Sequence, residues 1–331
     1  MIESRNIIII LYANTAVTQP VFEADLMGVI PKDEAADDFA KRILSRYREM
    51  PTFDMAHHEE KDLLRFFEFC WLIRKRLRDD FDLSMACTGG RGIGKSVFSI
   101  QTGTIVQYGD ITNELMKKFI TDKMLLAPTP DEIIQKHQEK TAGQFGVMVL
   151  DEAMRVCYSR EFMSKDNIQL NKIFTVNRKE NMLHILCIPS FYALDNFWRN
   201  DRVKYWAHIY GRGKVVIFAQ GLNPFQKDRW NLSYNEFAFN RYIQKQHRKA
   251  YELEEFEQEG VYKYLSNYLM SFEFPDIDQK LLTYYKELTE ENRYDFKRST
   301  SQVPVEPKSR YFYGEKEVTK EEFENYGKTI C

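Results

Sequence analysis

The chain has 331 residues, 44% of them hydrophobic and 29% charged, an ordinary globular composition that excludes collagen-like, coiled-coil and wholly disordered chains. Its 47 Lys and Arg against 49 Asp and Glu leave a net charge of −2, so a uniformly basic coat for nucleic acid is excluded. A local basic patch, or one assembled from several subunits, is not.

In chain order, a β-type run at Ile7–Tyr12 precedes a loop with Pro20 and Pro31, and a helix is predicted over Asp33–Glu49, ending at Pro51. A second helix is predicted over residues 59–79. There Leu63, Phe66, Phe67, Cys70 and Leu77 recur at helical spacing, and Arg74, Lys75, Arg76 and Arg78 gather at the carboxyl end. Leu83–Cys87 reads as an apolar strand, Thr88–Ser96 as a glycine-rich loop and Val97–Gln107 as a helix. Helix is expected near Asn113–Ile120 and a short strand within Lys123–Ala127. Thr129-Pro130-Asp131-Glu132 is a helix start with Thr as cap, Pro first and Glu three residues after the cap. Phe145–Leu150 and Met182–Ile188 are continuous apolar runs of the kind that form buried parallel strands, with helix signals between them to about Glu180. Val203–Tyr210 and Val215–Ala219 are strand-like around Gly211-Arg212-Gly213.

Strands alternating with helices predict a doubly wound α/β sheet. The last hundred residues are rich in Tyr, Lys and Glu, with helix expected near Tyr234–Glu259 and Asp278–Asn292, a linker over 297–310 and a short helix at 319–327. The division expected is a mostly helical extension at 1–80, an α/β core at 81–222, a helical region at 223–296 and a linker and tail at 297–331. The apolar runs Ile7–Ala13 and Leu183–Ile188 are too short to span a bilayer. The five cysteines (Cys70, Cys87, Cys157, Cys187, Cys331) form no CxxC pair or Cys/His cluster, so no zinc site or disulfide framework is expected. A soluble, cytoplasmic protein is the expectation.

The sharpest signal is Gly89-Gly90-Arg91-Gly92-Ile93-Gly94-Lys95-Ser96, which fits the Walker A pattern GxxxxGK[ST] at every fixed position. Glycines let backbone N–H groups turn inward around a phosphate, and the following helix adds its positive end. Lys95 is then the candidate for the β- and γ-phosphates and Ser96 for Mg²⁺. Gly89, Gly90, Arg91, Gly92, Ile93, Gly94, Lys95, Ser96 and Val97 are the candidate nucleotide-binding residues. Further on, Val147-Met148-Val149-Leu150-Asp151-Glu152 ends an apolar strand in two carboxylates, the pattern of a Walker B motif. Asp151 is the candidate second Mg²⁺ ligand. Glu152 is the candidate that orients or deprotonates the attacking water. The bland alternative is two acids at a helix start. No Asn-Lys-x-Asp guanine-reading motif stands in a suitable place, so ATP is the expected nucleotide.

Ser190, after the strand His184–Ile188 and Pro189, sits where additional-strand ATPases sense the γ-phosphate, and equally reads as a Pro-Ser turn. Arg178, Arg199, Arg202 and Arg212 flank the later strands, and ring ATPases commonly send one such arginine into a neighbour's site. Arg178 is the candidate carried forward, with Arg91 a further one acting in cis.

A P-loop with an internal arginine resembles that of phage DNA-packaging ATPases, and Phe174–Glu180 leading into His184–Ser190 is similar to their arginine-bearing helix and following strand. Asp151-Glu152-Ala153, the arginine helix, the sensor strand and Leu194…Arg199…Arg202 also resemble the HerA/FtsK group of DNA translocases, which includes Zot-like phage assembly proteins. The resemblance covers roughly residues 83–220 and implies an additional-strand, RecA-like P-loop NTPase sheet, with a helical N-terminal extension and a mostly helical C-terminal region. Two departures qualify it. That group usually has Thr-Gln where this chain has Pro189-Ser190. Large terminases carry a nuclease domain, and Asp276, Asp278 and Asp295 sit in no β-rich nuclease pattern. The resemblance implies an ATP- and Mg²⁺-dependent motor, assembled as a homo-oligomeric ring, that packages or translocates double-stranded DNA for a virus or mobile element, with a portal or assembly factor as a protein partner. Its rival is a non-translocating assembly, secretion or protein-remodelling ATPase. For that reading Tyr262, Tyr264, Tyr268, Tyr284 and Tyr285 are candidates for a partner surface, and core packing is their default role.

Overall fold

The computed structural model describes residues 34–50, 58–79, 81–126, 128–138, 145–157, 174, 180–223, 228–231, 234–241, 244, 262–263, 265–301, 311–313 and 316–318. The run at Ile7–Tyr12, Arg178 with most of its helix, the stretch expected helical beyond residue 244 up to Glu259, and the segment 319–327 lie outside them. The chain divides into Met1–Thr283 and Tyr284–Cys331.

The first unit is built on a seven-stranded sheet. Its strands are β1 (Leu83–Gly89), β2 (Met124–Leu125), β3 (Val147–Leu150), β4 (Leu183–Ile188), β5 (Val203–Gly211), β6 (Lys214–Ala219) and β7 (Tyr268–Glu273), in the spatial order β2-β3-β4-β1-β5-β6-β7. The five strands from β2 to β5 are parallel, and β6 and β7 add antiparallel. This is an α/β fold with a mostly parallel central sheet. Strand β4 lies between the glycine-loop strand β1 and the acidic strand β3, with Cys87 opposite Cys187 and Leu150 opposite Leu186. Every residue of β1, β3 and β4 is buried, which explains why these strands read as unbroken apolar runs. Strand β5 instead alternates buried with half-buried residues, as expected where parallel pairing gives way to an antiparallel hairpin.

The helices are α1 (Ala36–Glu49), α2 (Glu60–Arg78), α3 (Lys95–Tyr108), α4 (Asn113–Lys123), α5 (Pro130–Gln138) and the short α6 (Met154–Cys157). Residues 234–241 are also helical. The Thr129 hydroxyl accepts from the Glu132 N–H at 3.3 Å, so the cap predicted for α5 forms. Helix α3 is buried from Phe98 to Gln107, and its polar side chains therefore need partners inside the protein. Gln101 bonds Tyr47 of α1 and the Pro275 carbonyl. Gln107 Oε1 accepts the Val147 N–H at 2.8 Å, tying the end of α3 to the start of β3.

Helices α1 and α2 close over α3. Phe66 of α2 packs on Phe67, Phe98, Phe272 and Phe274 at ring separations of 5.3–6.5 Å, and it is fully buried. Burying one such ring contributes about 2–3 kcal/mol. Arg74, also fully buried, donates from Nη1 to the Ile105 and Val106 carbonyls, and Arg42 Nη1 donates to Gly109 O at 2.9 Å. These cations satisfy carbonyls that the helix end leaves open. Burial pulls the Arg74 pKa down to about 9.

Four elements differ from the sequence reading. Strand β7 was not expected in the helical region; Tyr-Leu-Met-Ser-Phe-Glu has no marked strand composition, and its pairing with β6 supplies the preference. The long helix α7 (Gln279–Ser301) runs five residues into the expected linker, whose remainder lies outside the described residues. In the second unit, β8 (Tyr311–Tyr313) and β9 (Lys316–Val318) form a small antiparallel pair where only a linker and tail had been expected. The four described cysteines are free thiols and buried.

Candidate active site

The glycine-rich loop leaves β1 at Gly89 and enters α3 at Lys95. Gly89 has φ +147°, and a Cβ there would meet the Ile209 carbonyl of β5 at 2.5 Å, so the loop leaves the sheet where no side chain fits. Gly94, at φ +109°, is the left-handed residue that turns the chain into α3. The first N–H groups of α3 are thus presented at the loop, at the positive end of the helix dipole.

Lys95 Nζ donates to the carbonyls of Gly89 at 2.9 Å and Gly90 at 2.8 Å, folding the ammonium back over its own loop. Ser96 Oγ lies 3.2 Å and 3.4 Å from the two carboxylate oxygens of Asp151. Asp151 is only 6% exposed, so a carboxylate desolvated at this point requires a hydrogen-bonding or cationic partner. A buried carboxylate and a hydroxyl side by side are hard oxygen ligands of the kind Mg²⁺ selects. Among the described residues no group of three or more His, Cys, Asp or Glu is arranged around a metal. Mg²⁺ takes most of its octahedral shell from water and substrate phosphates, so two protein oxygens fit it.

The turn after β3 is held at both ends. The Asp151 N–H bonds Leu125 O at 2.8 Å and the Ala153 N–H bonds Cys187 O at 3.0 Å. Glu152 between them has φ +58°. A left-handed conformation costs a side-chain-bearing residue about 1–3 kcal/mol and is kept only where the surroundings impose it. Glu152 is half-buried and follows Asp151 directly in the chain.

Ser190 is exposed, two residues past the end of β4. The register Thr88 opposite Ile188 puts Pro189 and Ser190 level with the start of the glycine loop. The arginines separate by environment. Arg202 is buried and bound to Asp82, also buried, so it serves this chain's own core. Arg199 Nη2 donates to Asn196 Oδ1 at 2.5 Å. Arg212 is 71% exposed on the β5–β6 turn, with Asp276 at 3.4 Å. Since Ile209 pairs with Gly89, that turn stands at the loop end of the sheet. Arg91 is exposed within the loop itself. Arg178 lies outside the described residues.

Two features of the site were missed in the sequence. Phe274, just after β7, lies 3.6 Å from where a Gly94 Cβ would stand; this contact depends on the unexpected strand. Thr88 bonds Trp206 and His208 of β5, partners 118 and 120 residues away with no local signal.

No protein-family model matches the chain, and no curated protein matches it. Among solved structures it is similar to the N-terminal domain of zonular occludens toxin from Neisseria meningitidis, at 15% identity and a TM-score of 0.28, over 42% of this chain and 84% of that one. A likeness of that size carries no argument; the fold stands on the chain's own strand order. No helix among the described residues is long and apolar enough to cross a membrane.

Proposed function

We propose that the chain is a Mg²⁺-dependent ATPase whose hydrolysis drives a ring-forming motor acting on double-stranded DNA, in the packaging or translocation machinery of a virus or mobile element. The observation that carries the ATPase reading is the meeting of Ser96 with the Asp151 carboxylate beside Lys95, at the end of a helix that opens from a glycine loop.

In this reading the loop N–H groups and the start of α3 bind the phosphates. Lys95 exchanges its carbonyl partners for the β- and γ-phosphate oxygens. Ser96 and Asp151 hold Mg²⁺, which when bound neutralises charge on those oxygens. Glu152 orients the attacking water and accepts its proton. Ser190 at the end of β4 senses the γ-phosphate, and Arg178 reaches a neighbour's site in the ring. The DNA substrate rests on the resemblance to packaging and translocating ATPases.

The test is steady-state ATP hydrolysis with and without double-stranded DNA, at low and moderate salt, with Lys95→Ala as control. Stimulation that fades as salt rises supports a motor contacting phosphates. Hydrolysis indifferent to DNA supports a second reading, an assembly or protein-remodelling ATPase. The exposed Tyr192, Leu222, Tyr234 and Phe237 favour that reading as a contact surface for protein. No hydrolysis in the unaltered protein sinks both.

A further inference from the structure

Thr88 is the last residue of β1 before Gly89, and its side chain points to the sheet face opposite α3. There Trp206 Nε1 donates to Thr88 Oγ1 at 2.6 Å, and His208 Nδ1 lies 2.9 Å from the same oxygen. An indole N–H can only donate, so the hydroxyl accepts from Trp206, which leaves it one lone pair and its own proton for His208. His208 Nδ1 meets it as an acceptor in the neutral tautomer with the proton on Nε2, and as a donor in the other tautomer or when the ring is charged. The other side of the same indole stacks on Phe191, with ring centroids 4.3 Å apart and planes 11° from parallel. Phe191 directly follows Ser190. One side chain thus joins the root of the glycine loop to the end of β4.

We propose that Trp206 and His208 are positioning residues for nucleotide binding, holding Thr88 and with it the first turn of the glycine loop in the phosphate-binding conformation, and that His208 does so as the neutral Nε2–H tautomer, whose Nδ1 accepts the Thr88 hydroxyl proton. The inference rests on the ATPase reading above. When His208 takes up a proton, Nδ1 becomes a donor. Thr88 Oγ1 then faces two donors, and its own hydroxyl proton loses its acceptor. Burial lowers the His208 pKa from its usual 6.5, which keeps the ring neutral at physiological pH. Among the described residues the titratable group that faces the ring is the Tyr262 phenol, at 5.8 Å between centroids, and burial raises its pKa, so it stays uncharged through the same range. Trp206, Thr88 and Val216, which also lie beside the ring, do not titrate.

The experiment is calorimetric titration with Mg-ADP between about pH 8 and about pH 5, on the full chain and on Thr88→Val, Thr88→Ser, Trp206→Phe and His208→Asn. Trp206→Phe keeps a ring for Phe191 to stack on and removes the N–H together with part of the indole's bulk. Asn at 208 keeps an acceptor for the Thr88 hydroxyl but cannot titrate. The unaltered protein is expected to lose affinity on acidification. Thr88→Val and Trp206→Phe are expected to bind about three- to tenfold more weakly at neutral pH, the value of one good hydrogen bond, with Thr88→Ser restoring affinity. Between neutral pH and pH 5, His208→Asn is expected to lose less affinity than the unaltered protein does, because its acceptor cannot take up a proton.

An acid limb as deep in His208→Asn as in the unaltered protein overturns the proposal, as does wild-type affinity in both Trp206→Phe and Thr88→Val. Should Thr88→Val fail to fold, Trp206→Phe and His208→Asn still decide. These outcomes leave the ATPase reading standing, whereas an unaltered protein that binds no Mg-ADP at any pH removes that reading and the inference together.

Discussion

Ser96 Oγ and the Asp151 carboxylate lie 3.2 Å apart although 55 residues separate them in the chain. Two independent devices bring them together. The glycine loop fixes where α3 begins, and β4, by pairing with both β1 and β3, fixes how far the acidic strand stands from the loop. If this pair holds Mg²⁺, then Asp151→Asn and Ser96→Ala each raise the Mg²⁺ concentration needed for half-maximal hydrolysis, the carboxylate change by more, since Mg²⁺ favours charged oxygen. A Mg²⁺ titration of turnover in the two variants checks this. Unchanged Mg²⁺ dependence in Asp151→Asn removes the metal role.

Glu152 is held in a left-handed conformation between two anchored N–H groups. Glu152→Gln keeps shape and backbone but cannot take a proton. Turnover is expected to fall by about 100- to 10,000-fold, the usual worth of a general base, with Mg-ATP affinity retained. Single-turnover hydrolysis alongside equilibrium binding separates the two. A variant that hydrolyses ATP at the normal rate would falsify the assignment of Glu152.

Folding stability is expected to fall on mild acidification. His137 is buried, and burial, with Arg202 nearby, lowers its pKa from 6.5 to about 4. Burial, then His137, then Arg202 push the His184 pKa well below 6.5. Above the unfolded value neither state binds a proton, and stability is flat. Below it the unfolded chain takes up protons that the folded chain refuses, so stability drops until the folded imidazole also titrates. For His137 that window runs from 6.5 to about 4 and amounts to about 2 kcal/mol by pH 5. Urea denaturation at neutral pH and near pH 5 measures it. His137→Gln is expected to shrink the difference; an equal difference in that variant would place the acid sensitivity elsewhere.

Arg202 and Asp82 form a buried ion pair, their side chains 5% and 8% exposed. Arg202→Met takes the guanidinium away from a carboxylate only 8% exposed and is expected to cost about 3–5 kcal/mol. Replacing Asp82 by Leu as well is expected to recover most of that loss, because the penalty lies in the carboxylate deprived of the guanidinium. Chemical denaturation of the two single variants and the double variant tests this. A loss below about 1 kcal/mol in Arg202→Met would mean that the pair is solvated.

Much of this molecule is legible locally. The glycine loop announces itself because its glycines, lysine and serine stand at fixed spacing in one short segment. Strands β3 and β4 announce themselves because a strand covered on both faces is apolar at nearly every position, His184 being the exception. The cap of α5 is legible because Thr129 and Glu132 lie within one turn.

Other features are settled only by assembly. Strand β7 gives no strong strand signal in Tyr268–Glu273; it is a strand because β6 offers an unpaired edge, and it is what brings Phe274 against Gly94. Arg202 reads as one more surface arginine until Asp82, 120 residues away, is seen beside it in the core. The Thr88 hydroxyl has no meaning in the sequence until β5 sets Trp206 and His208 on its side of the sheet. The sequence by itself determined where the glycine loop and the two acids stand at the ends of β1 and β3, because those patterns depend on short-range spacing. Which distant groups support it was decided by the tertiary structure alone, because sheet order and register choose neighbours that spacing along the chain does not encode.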